Sequence, residues 1–124
     1  MARIDKYEPK SGGFRAVLAF APAAGDVGKP IPVDLNGSGR VVKAAANSVA
    51  VRGVICMPSK LNSGDPVDVM TDGEIVDVTT ADVTGAVAGV EVKAGAAGTL
   101  DAAGTGKSVG WFVEAWRLVV RVGR

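Results

Sequence analysis

The stretch Ser63-Gly64-Asp65-Pro66-Val67-Asp68-Val69-Met70-Thr71-Asp72-Gly73-Glu74-Ile75-Val76-Asp77-Val78 most constrains what this chain can become. Its valines recur at every second position, the period of a strand with one buried face. At its centre lies Asp72-Gly73, a dipeptide suited to a type I′ hairpin turn because both central residues need φ > 0. Pairing about that turn sets Val69 opposite Val76 and Val67 opposite Val78, which predicts a four-valine core face. The other face then carries Met70 beside Ile75, and Asp68 opposite Asp77. Two like charges directly opposite are a cost to the sheet, and a face that mixes carboxylates with two apolar side chains suits a subunit contact better than open solvent or a catalytic pair.

Alternation continues along the chain. Phe14, Ala16, Leu18 and Phe20 fall on one side of a strand that Pro22 ends. Ile31, Val33 and Leu35 alternate with Pro32, Asp34 and Asn36, and the prolines predict an edge strand. Asn36-Gly37-Ser38-Gly39 then turns the chain into Arg40-Val41-Val42-Lys43. A long strand is expected over residues 49–57, bent at Gly53. Ala88, Val90, Val92 and Ala94 mark a half-exposed strand, and Leu118, Val120 and Val122 a final one. Residues 94–107 hold a single bulky apolar residue, Leu100, and read as a loop outside the core.

With 17 glycines, few aromatics and no amphipathic helix, the pattern predicts an all-β single domain. It is a small β-barrel or sandwich of about eight short strands over residues 14–124. Residues 1–13 lack either period and read as an extended N-terminal arm. Their charge and the lack of a following apolar run predict neither a signal peptide nor a membrane span.

Chemistry-bearing residues are sparse. Histidine is absent, which removes the commonest general base and metal ligand. The one cysteine, Cys56, sits in Val54-Ile55-Cys56-Met57 and is expected as a buried thiol with no basic neighbour. Ala102-Ala103-Gly104-Thr105-Gly106-Lys107-Ser108 resembles the tail of a phosphate-binding loop. However, Asp101 stands where the pattern needs its first glycine, and a strand rather than a helix follows. Asp65, Asp68, Asp72, Glu74, Asp77 and Asp82 lack EF-hand spacing and read as a solvated face. Lys93 has no carrier-domain setting and reads as a solvent-facing strand residue. The expectation is no enzyme, no metal and no cofactor. The net charge of +1 gives no general attraction to nucleic acid or acidic membrane.

Trp111, Phe112 and Trp116 make up three of the five Trp and Phe residues. Period 2 puts Trp111 and Phe112 on opposite faces. Either one fills the core while the other meets an interface, or two small cores flank the sheet.

Three stretches carry a family resemblance. Gly12-Gly13-Phe14-Arg15-Ala16-Val17-Leu18-Ala19, Gly64 through Val76, and Val109-Gly110-Trp111-Phe112-Val113-Glu114-Ala115-Trp116-Arg117-Leu118-Val119-Val120 resemble small head proteins of actinobacterial tailed phages. The succession of a valine-rich strand, a Gly-Asp turn, an Asp-Gly hairpin and a late Gly-Thr-Leu loop is similar to capsid decoration, or cement, proteins. That resemblance implies a β-barrel-like body, commonly trimeric, on the outer surface of the capsid, bridging major capsid subunits and made in the host cytoplasm. It implies that the arm region engages the capsid, with Arg3, Ile4, Tyr7, Phe14 and Arg15 as contacts, and that Met70, Ile75, Phe112 and Trp116 meet other copies. A β-barrel ligand- or glycan-binding module of a phage tail or host surface is the alternative.

Overall fold

The computed structural model describes residues 12–79, 83–85 and 87–122. Arg3, Ile4, Tyr7 and Asp82 therefore lie outside the described residues. The architecture is all-β, two sheets packed as a sandwich. Among the described residues eleven strands follow in order: β1 (Gly13–Val17), β2 (Ile31–Leu35), β3 (Val41–Lys43), β4 (Gly53–Ile55), β5 (Pro66–Met70), β6 (Asp72–Ile75), β7 (Val83–Thr84), β8 (Glu91–Ala94), β9 (Leu100–Asp101), β10 (Ser108–Glu114) and β11 (Arg117–Arg121). The only helical pieces among the described residues are single 3-10 turns at Ala24–Asp26 and Ala96–Gly98.

The first sheet has five strands in the order β1-β5-β4-β2-β3, and the second has six in the order β6-β11-β10-β8-β9-β7. All ladders are antiparallel except the two-residue β7–β9 pair. The five-stranded sheet curls so far that Leu18, just past β1, forms a bridge to Val41 in β3. Inside the curl lies one core of Leu18, Ile31, Val33, Val41, Ile55, Met57, Val67 and Val69, with Phe14, Ala16 and Phe20 packed against it. The expected inward set of the first strand is thus in place.

A second core fills the space between the sheets. Val51 and Val54 reach it from the outside of the curl, and Val92, Leu100, Phe112, Leu118 and Val120 come from the six-stranded sheet. β4 is therefore covered on both faces, and all three of its residues are buried. Gly53 meets this requirement by lacking a side chain. A Cβ there would press on Val69 and come within 2.6 Å of the Met70 carbonyl oxygen. The glycine permits a close approach of two chains rather than a bend in a long strand, and Val49 lies exposed before the strand begins.

The expected Asp72-Gly73 hairpin does not form. β5 pairs with β1 and β4, whereas β6 pairs with β11 in the other sheet. Thr71 is the point where the chain passes from one sheet to the other. Neither Asp72 nor Gly73 has positive φ. The glycine instead leaves room for Met70, whose Sδ would lie 3.0 Å from a Cβ at position 73. Val69 consequently faces Phe14, Val67 faces Ala16, and Asp68 faces Arg15 rather than Asp77. The like-charge pair is replaced by an opposite-charge pair, which removes the cost the hairpin register carried. Val67, Val69 and Val78 are core, but Val76 is 54% exposed.

Two further expectations change for local reasons. β2 is interior, between β4 and β3. Pro32 is accommodated because its carbonyl accepts from Ala44 N at 3.0 Å, just beyond the end of β3. A strand residue's N and C=O point the same way, so the missing N–H faces Ala44, past the last residue of β3, and costs the sheet a single bond at the end of that ladder. Leu100 is fully buried as β9, packed with Ala94 and Val83. The phosphate-loop-like segment, as expected, runs into a strand: Thr105 N donates to Asn47 Oδ1 at 2.9 Å, and β10 begins at Ser108.

Candidate functional site

The sheet corner at Thr71 opens a cleft of about 600 Å3. β1 supplies Phe14 and Arg15 after Gly12 and Gly13, β4 leads into Cys56 from Val54, β5 supplies Asp68, Val69 and Met70, and β6 supplies Ile75. Its origin is the uneven cover of the curled sheet. Near β4 the outer face is covered by the second core, but toward β1 the outward side chains Arg15 and Asp68 are exposed. Met70 and Ile75 are half-buried at that margin and pack on the inter-sheet core.

The two glycines are dictated by backbone proximity. Gly12, at φ +91, turns its carbonyl to accept from Thr71 N at 2.9 Å and from Asp72 N at 3.2 Å. A side chain there would be strained by the left-handed conformation. One at Gly13 would collide with the Val69 carbonyl.

The rim is polar. Arg15 Nε donates to Asp68 Oδ1 at 3.0 Å with both side chains well exposed. The hydrogen bond and charge of Asp68 raise the Arg15 pKa, although exposure limits what the pair adds to stability. Cys56 is exposed beside this rim rather than buried. Period 2 explains the difference: Val54 faces the inter-sheet core and Ile55 the curl, so Cys56 returns to the outer face where that core has ended. Partial burial of its sulfur still pushes the thiol pKa up, the opposite of the shift that makes a reactive cysteine.

A second surface lies on the outer face of the six-stranded sheet. Trp111 pairs with Val119, flanked by Glu91 on β8 and Glu74 on β6. Val113 is exposed on the same face. At the β10–β11 turn Trp116 is 45% exposed, and its carbonyl accepts from Val78 N. Arg117 links Glu74 at 2.5 Å with Glu114 at 3.4 Å across the strands.

Four expected contact residues, Phe14, Arg15, Met70 and Ile75, thus meet in one cleft, although they come from two separate groups in the sequence reading. Phe14 and Arg15 belong to a sheet strand, not to an arm. Trp116 stands apart at the hairpin tip. Phe112 is fully buried in the inter-sheet core and has no surface to offer another copy. Its inward direction follows from the irregular pairing around Gly110, where a Cβ would strike the Val119 carbonyl. The bulge turns Val109 and Phe112 to the same side and leaves Trp111 outside.

Among the described residues no three His, Cys, Asp or Glu side chains group as a metal site, and no helix is long and apolar enough to cross a membrane. What the cleft presents is an apolar floor with a polar rim, beside a strand edge. That arrangement suits an extended protein segment.

The architecture defines a class, the two-sheet all-β sandwich with one sheet curled around a core of its own. The same fold occurs in a solved chain from Mycobacterium phage Patience. The two agree with a TM-score of 0.72 and 20% sequence identity, over 97% of this chain and 95% of that one. No protein-family model and no curated protein matches the sequence.

Proposed function

We propose that this protein is a non-enzymatic structural component of a tailed-phage particle. Within that class it acts as a decoration protein on the outside of the head, bridging neighbouring major capsid subunits as a homotrimer. The observation that carries this reading is the fold shared with a phage chain along nearly the whole of both molecules. The sequence stretches that resemble small head proteins support it, since they fall on β1, β5–β6 and β10–β11.

The exposed surfaces fit such a role. A cement protein works through many modest protein contacts summed over the lattice, so apolar patches with polar rims serve it better than one deep pocket. The side bearing the cleft, with Phe14 and Arg15, is the capsid-facing one in this reading. Arg3, Ile4 and Tyr7 add to it. Trp111, Val113 and Trp116 on the six-stranded sheet face other copies.

The test uses heads of the phage whose genome encodes this chain, prepared without the protein. Adding purified protein is expected to bind them and to raise the temperature at which they release DNA. Heads that bind it yet break at the same temperature would reject the stabilising role, and heads that do not bind it would reject the decoration role altogether.

A further inference from the structure

We infer that Trp111 and Glu91, side by side on the outer face of the six-stranded sheet, receive Arg40 from a second copy of this chain. The inference rests on the reading that this face meets other copies, and it names the contact. It starts from the charges that the fold leaves over. Arg15, Arg52 and Arg117 each have a carboxylate oxygen within 4.0 Å, and Arg121 stands opposite Asp72 in the β11–β6 register. Arg40 is exposed, and its side chain makes no ion pair among the described residues.

The receiving site is built from cross-strand neighbours. Trp111 on β10 pairs with Glu91 on β8 and with Val119 on β11. Val92 and Phe112, the next residues along, are buried, so Glu91 and Trp111 both point outward. Such neighbours have Cβ atoms about 4.5–5.5 Å apart. Trp111 is half-buried, which fixes its ring against the sheet, whereas Glu91 is exposed and has no ion pair among the described residues. Glu74, the other carboxylate of that row, is already held by Arg117. An indole face beside an unpaired carboxylate fits a guanidinium, which stacks on the ring while its N–H groups donate to the carboxylate.

Arg40 is presented in a form suited to that task. Its N–H donates to Asn36 Oδ1 at 3.0 Å and its carbonyl accepts from Asn36 N at 2.9 Å. Ser38 N donates to the same Oδ1 at 2.9 Å, and Gly39 supplies the left-handed φ of +73° that closes the turn. Residues 36–40 are all exposed, so the tip stands clear of the body with its backbone already ordered, which lowers the entropic cost of docking. The turn belongs to the five-stranded sheet and the Trp111–Glu91 site to the other. The contact therefore joins unlike patches, head to tail, and such contacts close into rings. That is the geometry a homotrimer needs.

The test is sedimentation of the whole protein over a range of concentrations. The unaltered protein is expected to associate reversibly. Arg40→Glu and Glu91→Arg should each weaken association about tenfold or more, since each sets like charges together. Both positions are exposed and outside both cores, so Tm is expected to hold. The double variant, with the two charges exchanged, should recover most of the loss. Lys60→Glu, at an exposed cation on another loop, is the control and should change nothing. Single variants that associate like the unaltered protein, or a double variant no better than either, would overturn the inference and leave the copy-facing reading standing. Unaltered protein that stays monomeric at every concentration would overturn that reading and the inference with it.

Discussion

Replacing Gly53 by alanine puts a methyl group where β4 and β5 have no room for one. The added Cβ would press on Val69, which is buried, and would lie 2.6 Å from the Met70 carbonyl oxygen. A carbonyl cannot rotate aside, and Val69 is held by the core inside the curl. Relief must come from moving β4 and β5 apart, at the first residue of a strand covered by both cores. Overpacking of this kind costs about 1–3 kcal/mol, and backbone displacement puts this site near the top of that range. For a chain of this length a loss of about 2–3 kcal/mol lowers Tm by about 8–12 °C. Gly37→Ala is the matched control. It meets no atom within 4 Å and lacks a left-handed φ, so it should be neutral or stabilise by up to about 1 kcal/mol. Urea unfolding of both variants, with unchanged slope, measures the difference. A Gly53→Ala protein as stable as the Gly37→Ala control would refute the close approach and, with it, the two-core arrangement.

Phe112→Ala should cost about 3–5 kcal/mol, as a core truncation does, while leaving the mass of the folded assembly in solution unchanged. A dissociated assembly of unaltered stability would return Phe112 to an interface. Asp26 is partly buried, which favours its neutral form. The Ala23 amide at 3.0 Å and the Lys43 ammonium at 3.1 Å outweigh that burial, so its pKa is lowered. A depressed carboxylate pKa contributes stability above the unfolded-state value near 4, lost as pH falls through the folded value. Asp26→Asn should therefore cost about 1 kcal/mol at neutral pH, with the gap to the unaltered protein closing in acid; a gap independent of pH would reject this. Cys56, with its raised pKa, should alkylate more slowly than a small free thiol near pH 8 and keep accelerating above about pH 9. Rates equal to the free thiol would contradict the partial burial of its sulfur.

What the sequence made legible was local. Alternation identified β1, β2, β8 and β11 and their inward residues, since strand period is written in neighbouring positions. Partner choice is not. Val67 and Val69 are core as the valine pattern implies, yet they pair with Ala16 and Phe14 some fifty residues earlier. An Asp-Gly dipeptide is as compatible with a sheet crossing as with a hairpin when the glycine is needed for Met70. Leu100 looked isolated because its neighbours in the chain are small. Its burial comes from Val83 and Ala94, brought by β7 and β8. Of the cleft, Met70 and Ile75 were legible as an apolar pair on an ambiguous face. Their meeting with Phe14 and Arg15 required β1 to lie against β5, which no spacing announces. Cys56 was recoverable in principle, because alternation from buried Ile55 turns it outward.

Imaging particles of the encoding phage by electron cryomicroscopy tests the central claim most directly. The account predicts density for this two-sheet sandwich at every equivalent position of the head lattice, on its outer surface, with the cleft side toward the major capsid protein. Density confined to the tail or absent from the particle would contradict it.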